Sequence, residues 1–232
     1  MSDGKLRELE RRWRKTGSPD DEAAYLLERV RVGDLSRERL ELAAYCGHEA
    51  STRALVPATH FESDWDPTLW PREFNAAAAY LGAHLCFHEW ERWASERPAS
   101  EEDTRLLRAG LNMVRDFLLH DPRDPMEPLQ RMISLWVQVK GLWNQPCLAE
   151  TPDLAASAAA RAVSAAMQVV AGGIDWRPEQ GWRALDLERE AWSLSVESLR
   201  LVQETSTAPE DLDRSLTAGL VSYALSDHLP PT

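Results

Sequence analysis

The sequence predicts an all-α fold, and three observations predict it. Helix-start signals recur: Ser18-Pro19, Asp124-Pro125 and Thr151-Pro152 each set a capping side chain just before a proline. The cap oxygen accepts an N–H that the first turn leaves unpaired, and proline at the first helical position gives up no needed bond. Asp124 with Glu127, and Thr207 with Glu210, add capping-box spacing. Apolar residues recur at helical spacing through nearly every segment, and no stretch alternates as a strand would. Glycines stand where these periods stop, at Gly33 and Gly47, the usual left-handed helix ends.

The elements follow in order. Residues 4–15 read as a first helix ending near Thr16-Gly17. Asp20 to Val32 is a second, Leu35 to Cys46 a third, and His48 to Leu55 a short fourth before Pro57. These short helices joined by tight turns have the geometry of helical hairpins. Residues 56–70 break the pattern with Pro57, Asp64, Asp66, Pro67 and Trp70-Pro71, and read as an ordered loop pinned by Phe61, Trp65 and Trp70. Pro71 to Glu96 is a long helix. At 100° per residue, Phe74, Ala78, Leu81, Leu85 and His88 share one face, and Ala79, Ala83, Cys86, Trp90 and Trp93 lie roughly opposite. A helix apolar on both sides is either central to the fold or half-covered by a partner.

Ser100 caps a helix to about Leu119, and another runs from Pro125 to about Trp143. An alanine-rich helix from Pro152 stops at Gly172-Gly173. A long amphipathic helix follows Pro178 to about Glu204, and Pro209 to Ser226 is the last. Nine or ten helices result, stacked as antiparallel hairpins, either α-solenoid-like or an irregular bundle. Residues 1–55 form an N-terminal short-helix module, 56–70 the loop, and 71–232 the main helical body, continuous with the first part. Ala43-Ala44-Tyr45-Cys46-Gly47-His48 is faintly echoed by Ala78-Ala79-Tyr80-Leu81-Gly82-Ala83-His84, an offset within the span of helical-hairpin repeats. So short and alanine-heavy a match is better explained by chance.

Composition narrows the function classes. The net charge of −12 argues against a general nucleic-acid binder and against docking on anionic membranes. The first helix differs, with Lys5, Arg7, Arg11, Arg12, Arg14 and Lys15 outnumbering its carboxylates, and reads as a solvated basic face. Three cysteines, Cys46, Cys86 and Cys147, show no paired spacing, which fits a reducing cytoplasm. No signal peptide or membrane span is visible: the most apolar stretch, Leu154 to Ala171, carries Arg161 and Gln168. Ten tryptophans are the oddity, some for the core and some for a partner surface.

The run from Asp20-Asp21-Glu22-Ala23-Ala24-Tyr25 through Gly33-Asp34-Leu35-Ser36-Arg37-Glu38-Arg39-Leu40 to Cys46-Gly47-His48-Glu49-Ala50 resembles a segment near the start of many uncharacterised bacterial proteins, myxobacterial ones especially. The resemblance covers about a fifth of the chain. It implies a reusable helical module suited to an adaptor and carries no catalytic residues.

Few constellations could carry chemistry. His84 and His88, four apart on the long helix, can converge as in helical metal sites, but the His-Glu-x-x-His order is absent. A third ligand would have to come from His48, His60, Cys46 or His120. The ordinary role for such a pair is burial, with hydrogen bonds to neighbouring helices. Cys46 stands near a helix C-terminus, whose partial negative charge disfavours a thiolate. Asp121 and Asp124 bracket a proline turn and are explained by capping. There is no phosphate loop, dinucleotide fingerprint or nucleophile elbow.

The expected function is a non-catalytic protein–protein interaction or regulatory module of a bacterial cytoplasmic system. It needs no cofactor or metal, binds a protein partner rather than nucleic acid or membrane, and leaves homo-oligomerisation open. Trp65, Trp70, Trp90 and Trp93 are the candidate partner-binding residues. The alternatives are a helical metal-dependent enzyme using His84 and His88, and a small-ligand-binding protein with a tryptophan-lined pocket.

Overall fold

The computed structural model describes residues 2–55, 72–95, 101–119, 209–226 and 228–230, with helical positions at 131, 134, 135, 137–139, 142, 162–164, 166 and 167. Seven helices are delimited: α1 (Ser2–Thr16), α2 (Pro19–Val32), α3 (Arg37–Tyr45), α4 (Glu49–Ala54), α5 (Arg72–Ala94), α6 (Glu101–Leu119) and α7 (Pro209–Ser226). No strand occurs among the described residues. The protein is all-α.

The chain divides into two units. The first joins Met1–Trp65 to Thr217–Leu229; the second comprises Asp66–Leu216 and Pro230–Thr232.

In the first unit, local chemistry sets the helix ends. Ser18 caps α2 by accepting the Asp20 N–H at 3.3 Å, with Pro19 at the first helical position. At the far end Gly33 takes φ 80°, and the N–H groups of Gly33 and Asp34 return to the carbonyls of Val30 and Arg29. Gly47 repeats the device after α3 with φ 78°, returning to Ala44 while His48 returns to Ala43. The third helix begins later than the sequence suggests, because Ser36 stays extended and accepts the Arg39 N–H at 3.2 Å. His48 is the N-cap of α4: Ser51 donates its N–H to the ring Nδ1.

Helix α2 packs on both α1 and α4, and α3 packs on α4. Ala23, Leu26, Leu35, Leu40 and Ala50 form the core, with Val30, Ala54, Leu55 and Leu225 against it. Leu225 belongs to the C-terminal piece of this unit, which is tied in by polar contacts too. Arg29 donates to the Leu225 carbonyl at 2.7 Å, and the Arg39 guanidinium lies 5.0 Å from the Tyr223 ring centre. A cation on a terminal carbonyl satisfies an acceptor that a helix end leaves open.

The basic face of α1 is not simply solvated. Lys5 reaches Glu28 at 3.0 Å, Arg12 pairs with Asp21, and Trp13 stacks on Tyr25 with ring centres 5.3 Å apart. Glu28 is only 3 % exposed, and Arg31 holds its other oxygen at 2.5 Å. Two of the six cations of the basic face therefore serve as the grip between α1 and α2, a register that periodicity alone does not show.

In the second unit, α5 is buried on all sides from Phe74 to Phe87, with only Leu85 partly open. Of the two alternatives that its apolar faces leave open, a place inside the fold or cover by a partner, burial by its own chain is the one these residues show. It packs on α6, where the Trp90 indole N–H donates to the Thr104 hydroxyl at 2.9 Å. Beside them Ala162, Val163, Ser164, Ala166 and Met167 of the alanine-rich segment are buried. Gly110 of α6 marks a close approach: a β-carbon there would lie 2.9 Å from Met167 Sδ and 3.1 Å from Val163 Cγ1. The two echoed alanine-tyrosine segments differ in structure, since Gly47 ends a helix whereas Gly82 lies inside α5.

Candidate functional site

Helix α5 places Tyr80, His84 and His88 one turn apart, so the three rings form a column along one face. Tyr80 and His84 are stacked at 6.0 Å between ring centres, 17° from parallel. His84 and His88 meet edge to face at 4.8 Å and 72°. At the lower end, the Tyr80 hydroxyl donates to the Pro230 carbonyl at 2.7 Å. At the upper end, His88 Nδ1 lies 3.4 Å from Glu91 Oε2, and Glu91 in turn pairs with Arg108 of α6. The Arg108 guanidinium lies 5.6 Å from the Phe87 ring centre.

The expectation of two buried, hydrogen-bonded histidines holds for neither ring in full. His88 has a side chain 60 % exposed, although Trp90, two residues on, is fully buried. His84 is buried at 8 % exposure, but its Nδ1 has no hydrogen-bond partner. Burial pushes its pKa down to about 4; His88 adds to the shift and Glu91 opposes it. Burial likewise pushes the Tyr80 hydroxyl up to about 12. At neutral pH the lower column is thus a phenol and an uncharged imidazole.

An uncharged imidazole is a competent metal donor, but a structural zinc site takes four ligands and a catalytic one three plus water. Among the described residues no group of three His, Cys, Asp or Glu side chains converges to hold a metal ion. Among the described residues the column therefore offers two nitrogens. Of the further donors considered from sequence, His48 caps α4 and lies 3.6 Å from Glu22, and Cys46 caps α3. Both belong to the first unit, whereas His84 and His88 belong to the second. His60, His120, Cys147, Asp121 and Asp124 lie outside the described residues.

Neither described thiol has an activated environment. Burial pushes the Cys46 pKa up to about 12, which keeps it protonated, and Cys86 is fully buried in α5. Of the candidate partner-binding tryptophans, Trp65, Trp70 and the Trp93 side chain lie outside the described residues. Trp90 is fully covered by its own chain. A partner contact through it would require the pairing of α5 with α6 to open.

No protein-family model matches this chain, and no curated protein or solved structure does either. The chemistry must be read from its own residues.

What the sequence missed is electrostatic. Asp21 and Glu28, on one face of α2, are buried carboxylates held by Arg12 and Thr16, and by Arg31 and Lys5. The available signal was their spacing of seven, which puts two carboxylates on the stripe facing a basic helix. No helix among the described residues is long and apolar enough to cross a membrane.

Proposed function

We propose that this chain is a non-catalytic, protein-binding helical module, an adaptor or regulator in a bacterial cytoplasm. The observation that carries the reading is the placement of its reactive side chains. His84 is stacked and buried as a neutral ring, Cys86 is fully buried and Cys46 is half-buried with its thiol held protonated. The hairpin stack of α1 to α4 meanwhile turns charged helix faces outward. That arrangement suits recognition through a surface, since charge across an interface sets on-rate and partner choice. A repeat character and the tryptophans Trp65, Trp70 and Trp93 as anchors belong to this proposal. Large aromatic anchors dominate binding where a pocket receives them.

The test is affinity capture with the full chain in extract from its native host, followed by reconstitution with the purified partner. A saturable complex whose affinity falls with ionic strength is expected. Failure to capture a partner, together with stoichiometric bound metal that is lost in His84→Ala, would overturn the proposal in favour of the metal-dependent enzyme.

A further inference from the structure

Helix α1 carries six cations against three carboxylates in a chain whose net charge is −12. Its cations fall into two sets. Lys5 and Arg12 turn toward α2 and are neutralised by Glu28 and Asp21; Arg14 is paired along the helix with Glu10. Arg7, Arg11 and Lys15 are exposed and pair with no carboxylate among the described residues. They stand at i, i+4 and i+8, so they form one ridge about 12 Å long within about 80° of the helix circumference. The ridge lies on the side of α1 away from α2.

Nothing else in α1 is committed to a core. Leu6, Leu9 and Trp13 are only partly buried, and no α1 side chain among the described residues is fully so. The helix is an outer element, gripped by ion pairs and one aromatic stack. Its free cations are also left uncompensated although the rest of the chain is rich in carboxylates.

We propose that the Arg7–Arg11–Lys15 ridge is a docking surface for an acidic helix of a protein partner, one presenting carboxylates at i, i+4 and i+8. This deepens the protein-binding reading and rests on it. Charge complementarity selects the occupant. Three cations with helical spacing match three carboxylates with the same spacing. Polyphosphate and anionic lipid are disfavoured, because neither carries its charges at the fixed i, i+4 and i+8 repeat that the ridge presents.

The probe is a fluorescein-labelled, helix-forming peptide with glutamates at i, i+4 and i+8. The control is a peptide of identical composition with the glutamates out of register. Anisotropy should show binding of the in-register peptide to the full chain, weakened about tenfold or more between about 50 and 500 mM salt. Arg7→Glu/Arg11→Glu/Lys15→Glu should abolish it with an unchanged circular dichroism spectrum. If charge reversal perturbs folding, Arg7→Gln/Arg11→Gln/Lys15→Gln replaces it, with at least about a tenfold loss expected. Equal affinity for both peptides, undiminished binding by either variant, or tighter binding to a DNA oligonucleotide or to phosphatidylserine vesicles would overturn the proposal. The two readings fail separately: a triple variant that holds the purified host partner at wild-type affinity overturns the ridge and leaves the module standing.

Discussion

Glu28 and His84 are both buried ionisable groups, and their surroundings send them to opposite charge states. The hydrogen bonds from Arg31 and Lys5 hold the Glu28 carboxylate charged, with its pKa lowered from 4.5 to about 2. His84 meets no acceptor at Nδ1, and burial leaves it neutral at about 4 instead of 6.5. In both cases the unfolded chain binds more protons within the shifted window, so stability falls with pH there. The His84 contribution is fully present above pH 6.5 and is lost as pH falls toward about 4. The Glu28 contribution is fully present above pH 4.5 and is lost as pH falls toward about 2. Melting temperature against pH should therefore decline in two stages. His84→Leu should flatten the upper stage alone, and Glu28→Gln the lower one alone. A His84→Leu profile that superimposes on wild type between pH 6.5 and 4 would refute the neutral, buried imidazole. Trp90→Ala should cost ~3–5 kcal/mol in denaturant unfolding, because the fully buried ring loses its packing and its hydrogen bond to Thr104.

At the scale of elements, what was legible in the sequence is what one residue decides locally. Ser18-Pro19 starts α2, Gly33 ends it, Gly47 ends the approach to α4, and Pro209 to Ser226 is helical as expected. His48 was not legible as an N-cap, since histidine is a poor signal for that position. Its role depends on Ser51 across the turn and on Glu22 of another helix. The start of α3 slipped for a related reason: Ser36 offered a cap, but Leu35 already fitted the apolar period. His48→Ala should cost ~1 kcal/mol, with most of it recovered in His48→Asn, a preferred cap. Gly110 makes the contrasting case, since its importance lies in two other segments, those of Val139 and of Val163 and Met167. Gly110→Ala should lower stability by about 1–3 kcal/mol despite alanine's higher helix propensity, because Val163 and Met167 must move aside. Equilibrium unfolding with a conserved m-value checks both.

For the whole molecule, fold class followed from caps and periods because each is repeated along the chain. The candidate site followed only in outline. The spacing of His84 and His88 placed both rings on one side of α5, but which ring is buried depends on what packs beside each. The α1–α2 ion pairs require a register between helices that no single segment contains. The first unit illustrates this most clearly, since Arg29, Arg39 and the core around Leu26 are completed by Tyr223 and Leu225. A fragment of residues 1–65 should accordingly be less helical and lower-melting than the same fragment mixed with a peptide of residues 209–229. Circular dichroism of the mixture against the sum of the parts measures this; an exact sum would show that the C-terminal piece adds nothing.

That long-distance closure bears on the order in which the protein can be made. Between Trp65 and Thr217 a ribosome must add roughly 150 residues, which takes on the order of ten seconds or more at ordinary elongation rates. For that interval the core of Ala23, Leu26, Leu35, Leu40 and Ala50 would lack the cover that Leu225 gives it, and would be open to the nascent chain and to chaperones. Synonymous slow codons between Trp65 and Thr217 would lengthen the exposure, whereas the same codons within α1, read before the hairpins exist, would not. Soluble yield should fall only in the first case.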